Sequence, residues 1–124
     1  IQPFEYCVSS GNMSFATAIT LVDFENINNP TGKDAAYTSY ILSDTATVYQ
    51  TMSYDLSMNM NTDGAYTIYG RAWFDWNRDG DFDDVGEAYN LGTTFDNPDG
   101  ESSSSPLSIE IPADAHLGKT TMRV

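Results

Sequence analysis

The run from Val48 to Met60 restricts the fold more than any other stretch of this chain. Val48, Met52, Tyr54, Leu56, Met58 and Met60 occupy even positions. Thr51, Ser53, Asp55, Ser57 and Asn59 occupy odd ones. Successive residues of a strand point to opposite faces, so this alternation describes an antiparallel strand with one face buried and one in water. The methionines at the apolar positions read as core filling, because a flexible thioether adapts to irregular gaps. One such strand is not stable alone and needs paired neighbours and a second layer over its apolar face.

The remaining segments supply those neighbours. Ala16 to Phe24 is apolar and β-branched and reads as a strand. Glu25 to Lys33 carries Asn, Pro and Gly and reads as a loop. Ala36 to Leu42 is a short strand candidate. Asn61 to Gly64 (NTDG) is a turn, and Ala65 to Trp76 a long aromatic strand. Asn77 to Gly86 is an acidic loop, and Asn97 to Pro106 a polar, flexible one. Leu107 to Ile111 alternates again, Pro112 to Gly118 turns, and Lys119 to Val124 begins a last strand. This spacing of strands and turns predicts an all-β, antiparallel β-sandwich of jelly-roll or Greek-key type, spanning residues 1–124 as one domain. With 124 residues, 40% of them hydrophobic, the chain is long enough to bury a core.

Charge narrows the partners. Eighteen acidic residues against five basic ones give a net charge of −13. That surface repels nucleic acid and anionic membranes and attracts divalent cations. No apolar run has the length of a membrane span, and no signal peptide is present. The chain begins at Ile1 rather than Met, and a processed secreted chain, or a piece of a longer one, is expected. Its single cysteine, Cys7, implies a free thiol or a partner elsewhere.

The acids concentrate in one place. From Asp75 to Glu87 the chain reads DWNRDGDFDDVGE. Oxygen-bearing side chains stand at alternate positions: Asp75, Asn77, Asp79, Asp81 and Asp83. Gly80 occupies the place where an EF-hand-type loop turns sharply, and Glu87 is placed to close the site, one residue beyond the usual final position. Calcium takes six to eight oxygen ligands, which such a loop wraps around one point. Strand-like sequence leads into it, so a calcium loop on a β scaffold is expected, with a structural role. The plain alternative is an acidic surface turn.

Other chemistry is sparse. His116 is the sole histidine; neither it nor Cys7 lies in a nucleophile motif, so no catalytic residue is assigned and no enzyme is expected. One His and one Cys do not make a zinc site. Asp23 and Glu110 read as solvent-facing strand positions. Among Tyr66, Tyr69, Trp73 and Trp76, most are expected in the core, as aromatics in a sandwich usually are. Trp73 is the stronger core candidate. Trp76, at the loop entrance, is the candidate for an exposed, ligand-facing aromatic.

The string Trp73-Phe74-Asp75-Trp76-Asn77-Arg78-Asp79-Gly80-Asp81-Phe82, followed by Gly86-Glu87, resembles the GEVED domain of secreted and cell-surface proteins of Bacteroidetes. Weaker matches run in order along the chain: Tyr6-Cys7, Ile19 to Val22, Ile27 to Asn29, Gly32, Tyr37, Tyr40, Ile111-Pro112, Ala115, Gly118 and Thr121 to Val124. The resemblance implies a non-catalytic β-sandwich accessory domain with an acidic loop. It also implies a final strand, bearing the Gly-Glu-Val-Glu-Asp string, that this sequence does not contain, and a second cysteine before it that would pair with Cys7. A fragment, an unobserved tail and a strand donated by another subunit are the three explanations. Asn12-Met13-Ser14 is an N-glycosylation sequon, and Asp44-Thr45-Ala46 resembles the short O-glycosylation motif of Bacteroidetes, placing candidate sugars on Asn12 and Thr45. The expected function is an extracellular structural or adhesive module that binds calcium, self-associating or taking a partner's strand, in a fibre for example. The alternative is an accessory module that binds a carbohydrate or other substrate for a secreted enzyme.

Overall fold

The computed structural model describes residues 6–124. They form two antiparallel sheets and, among the described residues, no helix. The first sheet contains β1 (Ala18–Phe24), β2 (Ile27–Pro30), β3 (Ser53–Asn61), β6 (Gly100–Glu101) and β7 (Leu107–Glu110). Its order is β2-β1-β3, with β6 and β7 both along the far side of β3. The second sheet has the order β5-β4-β8, from Ala88–Phe95, Thr67–Phe74 and Met122–Arg123. This is the all-β sandwich that the alternation implies.

The period-two pattern forms β3 from Ser53 onward; Val48 to Met52, read as its start, lies outside the strand, and Met52, read as buried, is exposed. Leu56, Met58 and Met60 on β3 are buried, and the residues between them face out. Across the interior stand Ala72 and Phe74 of β4 and Leu91 of β5. Gly70 of β4 makes this close approach possible: a Cβ there would sit 2.4 Å from the Met58 sulfur. Ile109 of β7 and Ile111 just beyond it are buried while Ser108 and Glu110 face solvent, as the second alternation requires.

Four further segments differ from the sequence reading. Ala36 to Leu42 forms no strand; Ile41 and Leu42 are exposed and have no sheet to join. Glu25 to Lys33 is not all loop. The chain turns tightly at Glu25, with φ 54°, and returns as β2 against β1. Ala88 to Phe95, not singled out as a strand, pairs along nearly the whole of β4. Its Asn, Gly and Thr residues hide the alternation, and its partner imposes the extended form.

The fourth difference closes one side of the sandwich. Ser102 to Ser105, read as a flexible loop, crosses from one sheet to the other. The Ser102 N–H donates to Met58 O of β3 at 2.9 Å. The next two amides donate to β5: Ser103 N–H to Thr93 O at 2.9 Å and Ser104 N–H to Leu91 O at 3.0 Å. The Ser105 hydroxyl then accepts from Met58 N–H at 3.1 Å, supplying the acceptor that the departed backbone no longer offers β3. Backbone polar groups leaving a sheet must be satisfied, and serine hydroxyls do it here.

The opposite side is open. Among the described residues β8 has β4 on one flank and no strand on the other. Between β8 and the β1–β2 edge lies a cleft of about 530 Å³, lined by Val22, Ile27, Tyr40, Val48, Met122 and Val124 among others.

Gly92 tests the closed side. It has φ 85°, and a Cβ there would meet Ser103 Oγ at 2.1 Å and Ser104 N at 2.8 Å. Gly92→Ala combines a left-handed backbone penalty with a clash against main chain, and is expected to cost about 2–4 kcal/mol. Urea denaturation of the purified chain measures it.

Candidate functional site

The acidic loop leaves β4 at Phe74 and rejoins the sheet at Ala88. Two buried carboxylates fix both ends. Asp75, fully buried, accepts from Asp79 N–H at 3.1 Å through Oδ1. Its Oδ2 accepts from Gly80 N–H at 3.0 Å and from the Tyr6 hydroxyl at 2.7 Å. Glu87, also buried, accepts from Trp76 N–H at 3.0 Å and Asp84 N–H at 3.2 Å. Gly80 and Gly86 take positive φ where the loop reverses, conformations open to glycine without steric cost. The turn at 113–118 packs beneath. The His116 N–H donates to Trp76 O at 2.8 Å, and Arg78 Nη1 to Leu117 O at 3.1 Å.

The exposed part of the loop is a short ladder of side-chain turns. Asp81 N–H donates to Asp79 Oδ1 at 3.2 Å and Asp83 N–H to Asp81 Oδ1 at 3.0 Å. Alternate acids therefore serve a local purpose, each carboxylate accepting the amide two residues on. The same spacing gathers charge. Oxygens of Asp79, Asp81 and Asp84 lie within 4.8 Å of one another, close enough for one ion to bind all three. The Asn77 amide nitrogen donates to Asp79 at 3.2 Å and Asp84 at 2.8 Å. Its Oδ1 is a buried atom with no hydrogen-bond partner.

The expected ligands therefore separate by role. Asp79 and Asp81 converge, with Asn77 beside them. Asp84 joins them although it was not among the expected ligands. Sequence spacing hid it, because it lies off the alternate register and is brought round by the Glu87 brace. Asp75 and Glu87 spend their carboxylates on backbone amides and hold the loop instead. Asp83 contributes its N–H to Asp81 and lies outside the cluster.

The tryptophans exchange places. Trp76, expected to face a ligand, is buried; it stacks on Phe74 at 4.6 Å between centroids and donates its indole N–H to the Tyr89 hydroxyl at 3.0 Å. Trp73 is half-buried on the outer face of β4. Trp73 follows Thr67, Tyr69 and Arg71 on the outer face, and Trp76 continues the inward series of Gly70, Ala72 and Phe74, so the alternation holds with its phase the reverse of the one expected. Tyr66 and Tyr69 are exposed rather than core. Asn12 and Thr45 are exposed, as carriers of sugars must be. Cys7 is an exposed free thiol whose sulfur accepts from Arg123 Nη1 at 3.3 Å.

The model of the GEVED domain family matches residues 69–124. Over this stretch the chain is similar to the GEVED family. The match begins in β4 and takes in the acidic loop, β5 and everything after it. The N-terminal residues that share the resemblance, Tyr6 to Tyr40, lie outside it. No curated protein and no solved structure matches the chain.

The titration of the acidic loop follows from its crowding. Burial opposes ionisation of Asp79, but hydrogen bonds from the Asp81 N–H, Asp84 and Asn77 outweigh it and hold Asp79 low. Asn77 favours ionised Asp84, yet the hydrogen bond shared with Asp79, burial and the charges of Asp79 and Asp81 push Asp84 up. Burial pushes Glu87 up as well.

A raised carboxyl destabilises the fold once it ionises. Without a cation, stability from Asp84 and Glu87 grows as pH falls from neutral towards about 4. Loss through Asp79, held low, comes only below that. In excess chelator the melting temperature is therefore expected to be higher at about pH 4.5 than at pH 7. Asp84→Asn should flatten the difference, as thermal scans at both pH values will read. Asp75→Ala, by contrast, frees buried amide donors and is expected to cost roughly 2–4 kcal/mol whether or not a cation is supplied.

Proposed function

We propose that this chain is a non-catalytic extracellular structural or adhesive module, stabilised by calcium, whose open side accepts a strand from a neighbouring subunit. The cleft beside β8 carries this reading. An edge strand with unpaired N–H and C=O groups, next to an apolar slot, is a template for an added strand. The two sides of the sandwich differ in this respect: the serine crossing covers one, and nothing comparable among the described residues covers the other. A donated strand pairing with β8 would bury the apolar lining, and repetition from subunit to subunit would make a fibre.

Calcium suits the donor set in the loop. Three carboxylates and an unpartnered amide oxygen are all hard oxygen ligands, with no nitrogen or sulfur donor among them. Asp79, Asp81, Asp84 and Asn77 would hold the ion, with Asp75 and Glu87 bracing the loop. Neutralising crowded carboxylates removes the repulsion that raises Asp84. At an affinity of ~10⁻⁴–10⁻³ M the site would fill outside a cell.

Trp76 lies in the core, so the alternative of a glycan-binding accessory module loses the aromatic on which it was expected to rest.

Two measurements test the proposal. Calcium at tenfold above its Kd is expected to add about 1.4 kcal/mol, near 5 °C in melting temperature. Asp79→Ala should abolish that response, and an identical melting curve in EDTA would remove calcium from the account. Negative-stain microscopy of the native material should show ordered filaments with a subunit repeat. Single small particles would remove the fibre.

A further inference from the structure

The outer faces of the two sheets differ in charge. On the β4–β5–β8 sheet, the outward residues of β4 are Thr67, Tyr69, Arg71 and Trp73, with Asn90 opposite Arg71 and Phe95 opposite Thr67. Tyr69 is 77% exposed and Phe95 63%. Arg71 is exposed, and its guanidinium has no hydrogen-bond or ion-pair partner among the described residues. None of the outward strand residues on this face is acidic, in a chain of net charge −13. The other sheet presents the reverse. Asp23, Asp55, Glu101 and Glu110 face out from β1, β3, β6 and β7 among serines and asparagines, with no cation or aromatic beside them on those strands.

We infer that the Tyr69–Arg71–Trp73 face docks on the acidic face of a second copy of this chain. The two surfaces complement each other in charge and in hydrogen-bonding chemistry. The guanidinium of Arg71 meets carboxylates, and the aromatic residues lie over a flat polar sheet that they shield from water. Tyr, Trp and Arg are also the residue types that carry most interface energy. Because the contact joins two different faces, it is heterologous, and copies add one after another into an open chain or a ring. This goes beyond the strand-accepting cleft and uses none of its residues.

Two effects set its strength. Copies of net charge −13 repel each other overall. At ~0.15 M salt the Debye length of about 8 Å is shorter than the ~10 Å between sheets, so each face is read largely by itself. The face is also small, about 25 Å along the strands and about 14 Å across, which places the contact at the weak end of protein interfaces.

Sedimentation velocity on the isolated chain decides the matter, at about 10 µM to 1 mM protein, in about 0.15 M and about 0.5 M NaCl, with calcium held constant. Association that grows with concentration and weakens in high salt is expected. Arg71→Glu should raise the apparent Kd roughly tenfold, as should the Asp55→Lys/Glu110→Lys double variant. An equimolar mixture of the two variants should recover association, which misfolded chains would not do. A chain that stays monomeric at the highest concentration, or associates equally well with Arg71→Glu, overturns the inference. If the monomer is instead retained on polygalacturonate through Arg71, the face serves an acidic glycan and self-docking is wrong. The fibre reading stands or falls separately, on the micrographs of native material.

Discussion

Two buried carboxylates, Asp75 and Glu87, hold the most irregular part of this molecule in register with its most regular part. Each belongs to the junction of a strand with the acidic loop; Asp75 accepts the N–H groups of Asp79 and Gly80 within the loop, and Glu87 accepts that of Asp84 and, across the loop mouth, that of Trp76. The main chain at Asp75 also reaches the last strand region, its N–H donating to Thr121 O at 3.2 Å. A buried carboxylate satisfied by several amides is stable where an unpaired one would not be, and removing it would leave the amides without acceptors. β4, β5, the loop and the approach to β8 thus share one hydrogen-bonded junction. The position of the exposed acids, and of the open edge next to them, follows from it.

The loop shows how one spacing can serve two purposes. Acids at alternate positions cap the amides two residues ahead, which shapes the loop without any ion. The same arrangement crowds three carboxylates within 4.8 Å, and crowding penalises their joint ionisation. A cation relieves that penalty. The braces are structural in either state, while the cluster is sensitive to what binds it.

The sandwich manages its two sides unequally. Consecutive serine amides carry the chain from β3 to β5 and tie the sheets together, and Gly92 leaves the space for them. On the other side the sheets part around an apolar cleft. A sandwich closed at one side and open at the other is directional, and with one acidic face and one aromatic, cationic face it is polar in a second direction as well.

Much of this could be read from residues alone, because periodicity is a local property. The alternation placed strands and their buried faces over Ser53 to Met60 and Leu107 to Glu110, although it began the first too early, at Val48, and NTDG placed a turn. The acidic loop was visible as a candidate cation site from the spacing of Asp79 and Asp81. Where a segment takes its form from a distant partner, the sequence was silent or misleading. Ala88 to Phe95 is a strand because β4 pairs with it, and Ala36 to Leu42 is not one because no edge receives it. Asp84 enters the cluster, and Asp75 and Glu87 leave it, through hydrogen bonds across the loop that no spacing records. Trp73 and Trp76 exchanged their expected places because alternation puts them on opposite faces without saying which face is inner, and packing against Phe74 and Tyr89 decides that. The sequence determined the strand alternation and where the acids concentrate, both written in neighbouring residues; tertiary structure decided which carboxylates are free to meet an ion and which edge stays open, since both depend on contacts between residues far apart in the chain.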